Sequence, residues 1–401
     1  MTTFLYEDFA HAYVTEVGDA VRRMRTRHAE AVDLLAKATV GGGEIRAFGN
    51  GGSSAIVRSA LLQLHAQAGV PVNDAMMSPA TLAYTAQREE FRTAFARSLA
   101  RDIDRVRLVL VASVSGRSAN ILEAARLCAE HRVPVLALVG GDGTQMELAG
   151  GMVWATGTTD QQISEDAMLT VLTLAVATVP GPGTEPLPAR AERHLRALAA
   201  VDTELLGAFL REATEAVADA IRNRRRIYVL CPDGGPLALA GEHFAHNLAW
   251  DAPLGVDGVQ PPLVVCDPSL ADMSAILNDH PDPAHGVRHQ LSSADPEDVV
   301  FLLAYDSAGR TTREAVNAAT VVGARPFLLH RDGPGRSSAG ARHFRLPRVD
   351  DFALATLVQS VAHLLCRTTR AALTSAAVLS PDDLMARDLA PLRELSDTPS
   401  L

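Results

Sequence analysis

Five consecutive apolar residues, Leu108-Val109-Leu110-Val111-Ala112, leave a strand no polar face, because alternate side chains of a strand point to opposite sides. Such a strand must be covered on both faces, as in a parallel sheet with helices above and below it. The pattern recurs along the chain. Glu44–Phe48, Val70–Val72, Val133–Val139 and Met152–Ala155 read as strands in the first half, and Arg226–Leu230, Val299–Ala304 and Ala324–His330 in the second. Between them lie segments of helical spacing: residues 4–38 (Val14, Val17, Val21, Met24, Ala31, Leu34, Leu35), then Ala55 to about His65, Ala119–His131, Gln161–Ala177 and Asp351–Arg367. Strands alternating with helices predict an α/β protein.

At 401 residues the chain exceeds one ordinary core, and the Pro180-Gly181-Pro182-Gly183-Thr184-Glu185-Pro186-Leu187-Pro188 stretch supplies a break. The expected division is a first domain at 1–179, a linker at 180–190, a second domain at 191–373 and a tail at 374–401. The second half repeats the order of the first, which predicts an internal duplication. A net charge of −10 with no basic block beyond Arg222–Arg226 argues against a nucleic-acid partner. No apolar run has membrane-spanning length. Cys128, Cys231, Cys266 and Cys366 show no metal-type spacing, and together with the absence of a signal-like N-terminus they predict a reducing, cytoplasmic setting. Lys37 is the only lysine, which leaves little for Schiff-base chemistry.

The turn Phe48-Gly49-Asn50-Gly51-Gly52-Ser53-Ser54 joins the first strand to a helix. Glycines let the backbone approach an anion, and the helix N-terminus offers N–H groups to it, so this turn favours a phosphorylated ligand. An ordinary tight turn would use the same residues. A second glycine turn, Cys231-Pro232-Asp233-Gly234-Gly235, opens the corresponding helix of the second half.

Three stretches carry a resemblance: Gly49-Asn50-Gly51-Gly52-Ser53, Ser113-Val114-Ser115-Gly116-Arg117-Ser118-Ala119-Asn120 and Leu138–Gly143. Together they resemble the sugar isomerase (SIS) domain, nearest its phosphoheptose isomerase branch. The second half adds Cys266-Asp267-Pro268-Ser269, Asn278-Asp279, Gly309-Arg310-Thr311 and Asp332-Gly333 in the same order. The resemblance implies two tandem SIS domains, each a three-layer parallel-sheet sandwich of flavodoxin-like type. It also implies a sugar-phosphate ligand, a homo-oligomer, and phosphate bound by Asn50, Gly51, Gly52, Ser53, Ser113, Ser115 and Ser118.

The same resemblance implies a His and a Glu one turn apart on the helix after the glycine turn, and a Gln and a His on the late helix. These would act as acid and base in enediol chemistry or as ligands of a divalent metal such as zinc. The first half has Ser59, Gln63, Ser164 and Leu172 at those places, none of them a base near neutral pH. In the second half one register selects Glu242 and His246, and a one-residue gap selects His243 and Asn247. Asp279 and His363 complete the expected catalytic set. Second-half phosphate binding is doubtful, because Pro236 replaces a serine and Asp306 would repel a phosphate unless Arg310 compensated. The expected function is isomerisation of a phosphorylated ketose or aldose of heptose-phosphate type, at a site composed from both domains. A non-catalytic sugar-phosphate binder and an aminosugar-phosphate enzyme are the alternatives. The histidines of the loop Asp282–His289 and the acidic pair Glu165-Asp166 are further candidates near a pocket, the latter also readable as a helix cap.

Overall fold

The structure is a computed structural model that describes residues 6–40, 43–71, 79–88, 90–144, 146, 150–179, 187–267, 274–275, 278–279, 282–331 and 340–374. The chain divides into two compact units, Glu16–Leu195 and Met1–Thr15 with Arg196–Leu401. The first is called the N-unit and the second the C-unit.

The N-unit opens with α1 (Tyr6–Met24), whose first residues belong to the C-unit, and α2 (His28–Thr39). There follow β1 (Glu44–Gly49), α3 (Gly52–Ala68), α4 (Pro79–Arg88), α5 (Ala94–Ala100), β2 (Val106–Ser113), α6 (Ala119–Glu130), β3 (Val135–Val139), β4 (Gly151–Ala155) and α7 (Gln161–Val176). The four strands form one parallel sheet in the order β1-β2-β3-β4, with Phe48 beside Val111, Val111 beside Ala137 and Ala137 beside Val153. Leu108 to Ala112 are all buried, as an uninterrupted apolar run requires. Phe48, Phe95, Val111, Ile121 and Val139 belong to the core on one side of this sheet. The strand expected near Val70–Val72 is absent over residues 69–71, and Val72 lies outside the described residues.

The remaining helix α8 (Leu187–Ala199) begins inside the stretch expected as a linker, whose residues 180–186 lie outside the described residues. The C-unit continues with α9 (Thr203–Arg222), β5 (Ile227–Leu230), α10 (Pro236–His246), β6 (Val264–Val265), α11 (Pro283–Leu291), β7 (Val299–Ala304), α12 (Arg310–Val321), β8 (Arg325–Arg331), β9 (Arg342–Leu346) and α13 (Asp351–Leu373). Its parallel sheet runs β6-β5-β7-β8-β9. The order β5-β7-β8-β9 thus parallels β1-β2-β3-β4, and β6 lies beyond β5. Both sheets are parallel and flanked by helices, so the α/β class holds throughout. No helix among the described residues is long and apolar enough to cross a membrane.

One core group has a consequence for pH. His28, at the start of α2, is buried edge-on against Trp154 with ring centroids 5.8 Å apart, and neither ring nitrogen has a hydrogen-bond partner among the described residues. Burial, reinforced by the nearby Arg25 charge, lowers its pKa from 6.5 to about 4. Between those values the unfolded chain takes a proton that the folded chain refuses, so stability falls as pH drops from 6.5 towards 4. At pH 5 the loss should be about 2 kcal/mol. His28→Phe keeps the ring contact and removes the titration; its denaturation midpoint should lose less between pH 7 and pH 5 than that of the parent.

Candidate functional site

In the N-unit the loops after β1, β2 and β3 emerge at one end of the sheet, the carboxyl ends where α/β folds hold ligands. Gly49 ends β1 against the first turn of α3; a Cβ there would lie 2.6 Å from the Ser53 carbonyl carbon and 2.7 Å from the Ser54 nitrogen. Gly51 then turns the chain with φ 51°. Only glycine meets both demands without strain. The neighbouring loop Ser113–Ser118 turns at Gly116, φ 63°, and the Ser113 and Ser118 hydroxyls lie 3.1 Å apart. Ser115 Oγ accepts from the Arg117 amide at 3.2 Å.

Asn120 ties the two segments together. Its amide and that of Asn50 pair reciprocally at 2.9 and 3.0 Å, and its Oδ1 also accepts from the Ile121 amide. The helix starts here differ from others in the chain. Carboxylates of Asp160, Asp202, Asp282 and Asp350 cap α7, α9, α11 and α13. By contrast α3 and α6, like α10 and α12 of the C-unit, begin with no side-chain cap and no acidic residue in the first turn, and only α3 and α6 do so beside serine loops. Their N-terminal dipoles therefore face the loops without a resident negative charge, the condition an anion needs. Since Asp160 caps α7, the capping role weighed for Glu165 and Asp166 falls away; both are buried in α7.

The matching end of the C-unit is filled by its own side chains. Its sheet has a topological switch between β5 and β7, the place where such sheets hold ligands. There the Tyr305 hydroxyl donates to Gly234 O at 3.2 Å, and Asp233 accepts from the Tyr305 amide at 3.1 Å. A Cβ on Gly235 would come within 2.9 Å of the Tyr305 oxygen. Asp306 accepts from the Ala308 amide at 2.8 Å. Arg310 does not compensate Asp306: it pairs with Asp282 and Glu314 at 2.8 and 3.0 Å. Burial raises the pKa values of Asp233 and Tyr305.

A different feature of the C-unit carries proton chemistry. On α10, His243 and Asn247 face inward, while Glu242 and His246 share the exposed face. Helix α10 packs on α13, which brings Gln359 and His363, one turn apart, to His243. The His243 Nδ1 lies 3.0 Å from Gln359 Oε1, and the His243 and His363 rings meet edge to face at 5.1 Å. An amide oxygen only accepts, so Nδ1 carries the proton and Nε2 keeps its lone pair. Asn247 Nδ2 is a buried donor with no partner among the described residues. Directly after His246 the helix widens into a π turn, Asn247–Asp251, closed by the Ala252 amide on Asn247 O at 2.9 Å. Single π turns inside α-helices are frequent at functional sites.

A lone-pair nitrogen, an edge-on imidazole and a spare donor can serve proton transfer or ligate a metal. Two imidazoles supply half of a tetrahedral zinc set, and this unit alone adds no third ligand beside them among the described residues. Asp279 is exposed and accepts from its neighbour Asn278 at 2.9 Å. Pro268, Ser269 and Asp332-Gly333 lie outside the described residues. The segment 282–289, expected as a loop, is instead the start of α11, capped by Asp282, with which both Arg288 and Arg310 pair.

A parallel sheet flanked by helices, with glycine and serine loops at its carboxyl ends, defines an α/β fold of the kind that holds ligands at those ends. Residues 11–140 match the family described as SIS domain. No curated protein matches the chain. Among solved structures it is similar to the C-terminal domain of glucosamine-fructose-6-phosphate aminotransferase from Francisella tularensis, with 13% identity, 94% of this chain and 98% of that one covered, and a TM-score of 0.61. It is also similar to a candidate phosphosugar isomerase from Clostridium difficile 630, with 12% identity, coverage of 98% and 99%, and a TM-score of 0.57. A candidate sugar-binding protein from Salmonella typhimurium LT2 gives 14% identity, coverage of 89% and 99%, and a TM-score of 0.55. These likenesses show the same α/β fold over nearly the whole chain.

Proposed function

We propose that this protein binds a phosphorylated sugar through its N-unit and acts on it as an aldose–ketose isomerase. The observation that carries the binding is the pair of helix starts, α3 and α6, left without carboxylate caps beside Asn50, Ser53, Ser113, Ser115 and Ser118. Phosphate there would accept from serine hydroxyls and backbone amides at once. In this reading the two units are copies of one domain that have diverged: one keeps the anion site, while the other fills its turn with Tyr305 and keeps the imidazoles.

The enzymatic part rests on His243, whose Nε2 is presented as a proton acceptor by the bond from Nδ1 to Gln359. Enolisation needs a base to take the proton beside the carbonyl, and a neutral imidazole supplies one. A heptose phosphate is the substrate class we favour, from the likeness of the loops to the phosphoheptose isomerase branch. The second reading, a binder without catalysis, draws on the N-unit, where Ser59, Gln63 and Ser164 are buried and none titrates near neutrality.

The deciding experiment is incubation with sedoheptulose 7-phosphate and fructose 6-phosphate in deuterated water, following label at the carbon beside the carbonyl. Label entering supports the isomerase, and binding without label supports the second reading. Ser115→Ala with Ser118→Ala should weaken sugar-phosphate binding by about tenfold to a hundredfold, measured by calorimetry. Unchanged affinity would remove the loop from the site.

A further inference from the structure

We propose that a cavity of about 280 Å3 in the N-unit, beside β4 and lined by no residue of the Ser113–Ser118 loop, binds a small hydroxylated anion. Arg23, Thr26, Arg27, Asp142, Val153 and Trp154 line it. Its cationic wall is built. Arg23 Nε donates to Thr156 O at 3.1 Å, and the guanidinium lies over Gly157, where a Cβ would come within 2.8 Å of Nε. Gly157 itself has φ 74°, so both its conformation and its missing side chain serve that seat. Two backbone bonds of 2.7 Å, Gly157 to Gly141 O and Gly141 to Thr158 O, clasp the flanking loops together.

One turn further on, Arg27 donates to Val153 O at 2.6 Å and pairs with Glu30. Arg23 has no carboxylate partner among the described residues, so its charge is the unspent one. The lining also holds Asp142, which accepts from the Thr144 amide and hydroxyl at 3.0 and 2.8 Å. Those bonds hold its carboxyl below its ordinary range, so it is ionised at neutral pH. Trp154 also lines the cavity, fixed by its indole N–H on Met24 O at 2.6 Å.

One guanidinium without a carboxylate partner and one carboxylate in the same lining select the ligand. A bare anion gains at Arg23 but is repelled at Asp142, whereas a molecule with an acidic group at one end and hydroxyls at the other satisfies both. The volume suits a single sugar ring or its open chain with one acidic group. The acidic group is a phosphate or a carboxylate.

The chain has two tryptophans, and Trp250 is 66% exposed, so Trp250→Phe leaves Trp154 as the sole indole reporter. That variant is titrated with fructose 6-phosphate, gluconate, fructose and inorganic phosphate. A saturable change in Trp154 emission is expected with fructose 6-phosphate or gluconate, and which of them acts identifies the acidic group. Arg23→Ala should raise the half-saturation point at least about tenfold, whereas Ser115→Ala with Ser118→Ala should leave it unchanged. Asp142→Asn should narrow the gap between the hydroxylated anion and inorganic phosphate. No saturable change with either hydroxylated anion, a change indifferent to Arg23→Ala, or one abolished by the serine pair would overturn the proposal. Inorganic phosphate binding as tightly as the hydroxylated anions would do the same. Because the serine pair reports separately on the loop, failure here leaves the loop reading standing.

Discussion

His243→Asn should slow deuterium entry into a ketose phosphate by about a hundredfold to ten-thousandfold, the usual contribution of a positioned general base. The asparagine amide retains a donor for Gln359 but has no nitrogen lone pair with which to take a proton from carbon. Gln359→Leu separates position from chemistry. It removes the acceptor that fixes the His243 tautomer, so exchange should fall while the base survives, and the pH profile of exchange should move as the imidazole loses its oriented bond. A purely structural His243 would lower the melting temperature in both variants and leave the rate per folded molecule unchanged. Glu242→Gln and His246→Gln, on the exposed face of α10, serve as controls and should exchange at the parental rate. Loss of exchange in those controls with His243→Asn unaffected would move the base to the other face of the helix.

That choice of face marks the limit of what the sequence displays. Glu242 and His246 are spaced as well as His243 and Asn247, and spacing alone does not say which pair turns inward. The face is set by α13, whose Gln359 and His363 receive His243, and that is a contact across 116 residues of chain. Gln359 itself, in a long buried helix, gives no local sign of a role. The strands were more legible. Leu108–Ala112 and Val299–Ala304 are central and apolar throughout, so their burial is written in them. The edge strands β6 and β9 escape that reading. The first pairs only at Val264 and Val265, and the second, Arg342-His343-Phe344-Arg345-Leu346, alternates charge with bulk as a half-exposed edge does.

The loops divide in the same way. Ser113, Ser115 and Ser118 announce a polar turn by composition, and Gly51 and Gly116 hold the positive φ that such turns use. Tyr305 gives no sign of its role in the sequence; that it closes the Gly234 turn depends on Asp233, whose carboxylate takes the Tyr305 amide 72 residues away. Asn120 sits in plain view within the serine stretch. Its pairing with Asn50 becomes visible only when β1 and β2 lie side by side.

Gly49→Ala should destabilise the protein by about 2–3 kcal/mol and take most phosphate binding with it. The new methyl would sit 2.6 Å from the Ser53 carbonyl and 2.7 Å from the Ser54 amide nitrogen, and these are backbone atoms of the first turn of α3. A flexible side chain could swing away, but a helix turn can yield only by moving the helix start off the end of β1. That start carries the N–H groups assigned to the phosphate, so stability and binding fall through one displacement. Gly69→Ala is the matched control at the other end of the same helix. It has φ 65° and nothing within 4 Å of a Cβ, so it bears only the left-handed backbone cost of about 1 kcal/mol and should bind phosphate as the parent does. Urea unfolding and calorimetric titration with a sugar phosphate measure both quantities on both variants. Equal destabilisation with binding preserved in Gly49→Ala would mean that the turn after β1 yields freely, and the anion site would then have to rest on the Ser113–Ser118 loop alone.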